Sequence, residues 1–142
     1  MLDPLHPMWT HLPAVGLPAA AVLAALARRG DRVHLANAAA WCLYVGAVGA
    51  VLATATGIFD HLPYENTPLI GLIEQHQKPA FLTTALALTA AGWCAWGRRK
   101  GEDPIGSVPH LALLVAVGML VVYTGLEGGE LVYEHAIGVK DR

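Results

Sequence analysis

Seven histidines stand in a chain of 142 residues of which only 14% are charged. Imidazole is the most versatile neutral ligand a protein offers to a transition metal or a haem iron. His6, His11, His61, His76 and His135 gather at one end of the chain's apolar runs, and His34 and His110 at the other. Glu127, Glu130 and Glu134 stand close to His135, and with Tyr123 they recur on one helical face. Carboxylates beside imidazoles can orient them, carry protons or bind a metal directly. The two cysteines, Cys42 and Cys94, form no CxxC or CxxCH motif, which excludes a covalently attached haem, an iron–sulfur cluster and a thiolate zinc site. No nucleophile–base constellation, phosphate loop or basic patch is present, so a stand-alone enzyme and a nucleic-acid partner are not expected.

The elements that must position these groups are legible in the charge pattern. The chain is 55% hydrophobic with a mean hydropathy of +0.47. Histidine aside, residues 4–27, 33–59, 79–97 and 104–126 carry no charge. A run of about 18 or more residues crosses a bilayer as a helix. A soluble bundle would need polar faces, which these segments lack. The sequence therefore predicts an all-α, integral membrane, antiparallel four-helix bundle: a single domain, 1–142, with spans at about 7–28, 35–59, 68–97 and 108–135. His6 is expected as the cap of the first span and Pro7 as its first residue. Thr67 and Pro68 are expected to open the third, Gly138 to cap the fourth, and His61 to lie in the outer loop.

Arg28, Arg29 and Arg32 lie between spans one and two, and Arg98, Arg99 and Lys100 between spans three and four. The opposite side has Lys78, Lys140 and Arg142. Basic loops stay in the cytoplasm. The expected location is a bacterial inner membrane, multi-pass, with both termini and five of the histidines on the periplasmic side.

Counting along each helix at about 1.5 Å per residue puts His11 about 25 Å above Arg28 and His76 about 33 Å above Arg98. His135 and His6 come next. Spans one and three are diagonal partners in an up-and-down bundle, so His11 and His76 are expected to face each other across the core. Two imidazoles so placed can take both axial positions of a haem iron. His135 is the main substitute ligand and His6 a further one. Asp60 is expected to accept a histidine N–H, Glu127 to support the same end, and Gly57, Gly128 and Gly129 to make room for the macrocycle. His34 and His110, level at the inner side, could hold a second haem.

The segments "HPMWTHLPAVGLP", "TGIFD" and "EGGELVYEHAIGV", with a histidine opening span three, resemble a bacterial family of predicted four-span membrane proteins labelled domain of unknown function 2231. The resemblance covers nearly the whole chain. His6, Pro7, His11, Gly57, Asp60, His76, Gly129, Glu130 and His135 are the positions that match its pattern, while Ala136 stands where glycine is expected after the histidine. The resemblance implies the four-span topology, and the layout is similar to that of membrane b-type cytochromes.

Three readings follow. The first is a protein that binds haem b, with His11 and His76 as axial ligands. It transfers electrons near the periplasmic face, between quinol and a periplasmic redox carrier, alone, as a homo-oligomer or with other membrane subunits. The second is a non-haem copper, zinc or iron site built from His6, His11, His76, His135 and Glu130. The third is a cofactor-free subunit of a larger membrane complex.

Overall fold

The computed structural model describes residues 5–30 and 32–139. Lys140 and Arg142, counted above as outer basic residues, lie outside them. Four α-helices follow one another: α1 (His6–Ala27), α2 (Val33–His61), α3 (Ile70–Arg99) and α4 (Val108–Tyr133). Short 3₁₀ turns, Leu62–Tyr64 and Pro104–Gly106, lie in the two loops that join α2 to α3 and α3 to α4. All four helices are long and apolar enough to cross a membrane. Each packs against its neighbours around a closed ring, α1–α2–α3–α4–α1, leaving α1 diagonal to α3 and α2 diagonal to α4. This is the antiparallel bundle that short loops impose.

The helix ends differ from the sequence expectation where local hydrogen bonds compete. His6 is the first residue of α1 and Leu5 its cap. Helix α3 opens at Ile70: the Thr67 hydroxyl donates to the Tyr64 carbonyl, which closes the preceding turn, and does not cap the helix. His61 is the last residue of α2 and is not in the loop; its Nδ1 accepts from the Gln77 amide of α3. Helix α4 opens on Ser107, whose hydroxyl oxygen accepts from the His110 N–H, and ends at Tyr133, before Gly138. Ala136 and Gly138, at φ of 52° and 78°, turn the chain after α4. The Gly138 N–H donates to the Tyr64 hydroxyl.

Small residues govern the packing, as they do where helices meet in lipid. Against α1, α2 presents Gly46 and Gly49. A Cβ at Gly46 would lie 2.9 Å from the Leu17 side chain, and one at Gly49 would lie 2.8 Å from Pro13 Cδ and nearer still to Leu12 Cβ. That seam brings α1 and α2 closer than any residue with a side chain allows. Pro13 and Pro18 stay inside α1, where a proline removes one backbone bond that the surrounding bundle tolerates.

The inner half is densely filled. Leu17, Leu43, Ala90, Cys94, Ile105, Leu114 and Val117 are buried together. At the inner rim the Arg98 guanidinium donates to both carboxylate oxygens of Asp103, to Asn37 Oδ1 and to the Ala36 carbonyl, joining α2, α3 and the turn before α4. The outer half is hollow.

Candidate functional site

Two cavities, about 460 and 450 Å³, occupy the outer half of the bundle. They share a wall that includes His6, Ala53, His76 and Gly128. Beyond it the first cavity runs beneath the outer loop, along Gly57, His61, Tyr64 and Phe81. The second reaches down between α1 and α4, along Thr10, His11, Thr124 and Gly125.

His6 and His76, from the diagonal helices α1 and α3, meet at this wall with ring centres 6.0 Å apart and planes at 81°. Each is fixed by its surroundings. The His6 backbone N–H donates to Asp60 Oδ2 at 3.1 Å, which ties the start of α1 to the end of α2. The His6 ring Nδ1 lies 2.7 Å from the Ala53 carbonyl oxygen. A carbonyl only accepts, so Nδ1 carries the hydrogen and the Nε2 lone pair of the neutral ring is left free. Gly57 lies flat under this ring: a Cβ there would stand 3.0 Å from His6 Nδ1. Gly128 of α4 does the same for the other ring, with a Cβ position 3.1 Å from His76 Cε1. His76 Nδ1 is buried without a hydrogen-bond partner among the described residues.

The arrangement departs from the expected facing of His11 and His76. Five residues at about 100° each place His11 roughly 140° round the helix from His6. With Leu12 and Pro13 seated on Gly49 and His6 over Gly57, α1 turns His6 inward and His11 outward. His11 is exposed at the edge of the second cavity, and its Nδ1–H donates to the Pro7 carbonyl at 2.8 Å. Asp60 binds the backbone of His6 and not an imidazole N–H. Gly57 and Gly128 make room for the imidazoles themselves, while Gly129 lines the second cavity and faces only Tyr133 of its own helix.

His135 does not join His6 and His76: it borders neither cavity. Its ligand atom lies within 4.8 Å of those of Glu130 and Glu134 at the outer end of α4. Glu127 borders neither cavity. His34 is exposed at the inner end, whereas His110 is wholly buried against Trp93, its Nε2–H donating to the Ala90 carbonyl at 3.1 Å. One ring nitrogen of His110 is thus already committed. Cys42 and Cys94 are free thiols in the packed part of the bundle.

A threonine belt below the histidines was not anticipated. Thr54 and Thr84 bridge α2 and α3 with hydroxyl oxygens 2.8 Å apart, and Thr83 and Thr124 bridge α3 and α4 at 3.2 Å. The sequence signal was there: Thr83 and Thr84, Thr54 and Thr124 are among the few polar side chains inside the uncharged runs.

No curated protein and no solved structure matches the chain. Residues 2–141 match the model of a family described as predicted membrane protein (DUF2231). With four membrane-spanning helices, and a match over nearly its full length, the chain belongs to the DUF2231 family of predicted membrane proteins.

Proposed function

We propose that this membrane protein binds a b-type haem between His6 and His76 and transfers electrons at the periplasmic face of a bacterial inner membrane. The observation that carries the reading is the pairing of these two rings. Metal–imidazole bonds of about 2.0–2.1 Å hold two trans imidazole centres no more than about 6.4 Å apart. The 6.0 Å separation lies within that reach. Ala53 fixes the tautomer of His6 that leaves Nε2 free to ligate, the usual task of a second partner on a ligating histidine.

The donor set favours haem over a bare ion. A zinc site draws at least three ligands from the protein, whereas a haem iron needs two axial ones. Among the described residues, the one group of three histidine, cysteine or carboxylate ligand atoms mutually within 4.8 Å is Glu130, Glu134 and His135, which excludes both His6 and His76. A flat macrocycle lies across the line joining its axial ligands and needs space on both sides of that line. The two cavities flank the His6–His76 wall; the first is lined by apolar groups such as Ile58, Ile73, Phe81 and Leu131, the second by alanines, glycines and the threonine belt. Bound there, haem iron supplies one-electron redox chemistry. The protein's own part is to hold the two imidazoles, line the first cavity with the buried Ile73, and keep the group near one membrane face.

The orientation rests on charge. Arg28, Arg29, Arg32, Arg98, Arg99 and Lys100 mark the cytoplasmic side and leave the histidine end in the periplasm, within reach of a soluble redox carrier.

The test is the absorption spectrum of detergent-purified protein made with ample haem, oxidised and dithionite-reduced, with metal analysis of the same sample. A Soret band that sharpens on reduction is expected. It should be lost in His6→Ala and in His76→Ala and kept in His11→Ala. Full haem retention in both of the first two variants overturns the ligand assignment. Stoichiometric copper, zinc or iron with no Soret band replaces haem by a bare ion, and neither signal overturns the cofactor reading.

A further inference from the structure

The second cavity has a feature that the haem reading does not use. It opens between α1 and α4, within about two turns of His6 and Gly128. The two helices are in contact at Gly118, where a Cβ would lie 3.5 Å from Pro18 Cα. About two turns further out, at Gly125, a Cβ would meet nothing within 4 Å. The mouth is edged by Thr10, His11, Ala14, Gly125 and Gly129. His11 stands about 25 Å above Arg28, near the outer edge of a hydrocarbon core of about 30 Å. Such an opening admits a ligand from the bilayer.

The two polar groups at its rim, Thr10 and His11, have their hydrogens directed elsewhere. The Thr10 hydroxyl donates to the Pro7 carbonyl at 2.9 Å, and His11 Nδ1–H donates to the same oxygen. Deeper in, the Thr83 and Thr124 hydroxyls divide their hydrogens between each other and the Pro79 and Leu120 carbonyls. Thr84 donates to the Ala80 carbonyl and can accept from Thr54. What remains at the rim on these two residues is a pair of acceptors: Thr10 Oγ1 and, in the neutral ring, His11 Nε2. Two rim groups that accept and do not donate favour a ligand that donates to them.

We propose that the mouth between α1 and α4 binds the head group of a lipid-soluble hydroquinone, with His11 Nε2 and Thr10 Oγ1 accepting its hydroxyl hydrogens, and discriminates against the oxidised quinone. The two redox forms have nearly the same shape. The hydroquinone carries two O–H donors and the quinone two carbonyl acceptors, so acceptors on the protein distinguish them. The site would supply the electron donor of the function proposed above and rests on that reading for its purpose, but its binding is tested separately.

The experiment is anaerobic retention of a decyl-chain benzohydroquinone, and of the matching benzoquinone, by immobilised protein at fixed detergent concentration. One equivalent of hydroquinone is expected, with the quinone at least about tenfold weaker, since each hydrogen bond lost costs roughly fivefold to tenfold. His11→Ala and Thr10→Val, both at the rim, should each lower hydroquinone affinity roughly fivefold and leave the quinone unaffected. Absence of saturable retention, equal or stronger quinone binding, or unchanged affinity in both variants overturns the proposal. Hydroquinone retention by protein without a Soret band upholds this site while overturning the haem; a Soret band without retention does the reverse.

Discussion

Replacing Gly49 with alanine tests the seam that aims His6 into the bundle. The added Cβ would stand 2.8 Å from Pro13 Cδ and closer still to Leu12 Cβ. Carbon atoms at rest lie about 3.5–4.0 Å apart, so the relief needed is at least about 0.7 Å. Neither neighbour can swing away, because one is a Cβ and the other a ring carbon fixed to the backbone. Helix α1 must therefore move as a body. Overpacking of this kind costs about 1–3 kcal/mol, against a gain of about 1 kcal/mol from replacing glycine by alanine in a helix. With rigid neighbours the upper part of the range applies, and the net loss is about 2 kcal/mol. At roughly 2–4 °C per kcal/mol for a chain of this size, the midpoint falls by about 4–8 °C. The assay is the loss of the monodisperse size-exclusion peak of detergent-purified protein after heating. Gly125→Ala is the control: its Cβ meets nothing within 4 Å, so only the helix gain applies and the midpoint holds or rises. If Gly49→Ala and Gly125→Ala melt together, the α1–α2 seam does not control the position of His6.

Two further outcomes follow from the inner rim and the topology. Arg98→Ala removes a forked ion pair and two further hydrogen bonds. Arg98 and Asp103 are partly exposed, so the loss should be about 1 kcal/mol, or about 2–4 °C in the same assay. Arg98→Lys should recover less than half of it, because a lysine cannot donate in two directions from one plane; full recovery would show that charge alone matters there. In a variant without Cys42 and Cys94, a cysteine at Asn66 should react with a membrane-impermeant maleimide in intact cells, and one at Gly101 only after permeabilisation. The opposite pattern would invert the orientation.

The four helices were legible because absence of charge over a bilayer's thickness is a property of composition, and the loops that interrupt it are short. Counting along a helix gives relative heights, since a helix rises by a fixed step, and from Arg28 and Arg98 it puts His6, rather than His11, level with His76. What counting along an axis does not give is rotation about it. His6 and His11 stand about 7.5 Å apart along α1 and point to different neighbours, and which of them turns inward is set by Gly49 and Gly57 on another helix. Helix ends were misjudged for a similar reason. Thr67 has the chemistry of a cap, but its hydroxyl donates to the Tyr64 carbonyl at 2.8 Å and the helix opens later, with Leu69 in the cap position. Asp60, expected at an imidazole N–H, binds the backbone N–H of His6, because the first N–H groups of a helix lack intrahelical partners.

The close seam between α1 and α2 also bears on how the protein is made. These two helices leave the ribosome first and can pair at once through Gly46 and Gly49, so His6, Ala53, Gly57 and Asp60 come together in a half-built chain. His76 and Gly128 arrive only with the later pair. On the proposed reading, a chain cut after α2 would hold half of the histidine pair's surroundings and no haem, so bound haem would mark a chain whose four helices have been inserted and docked.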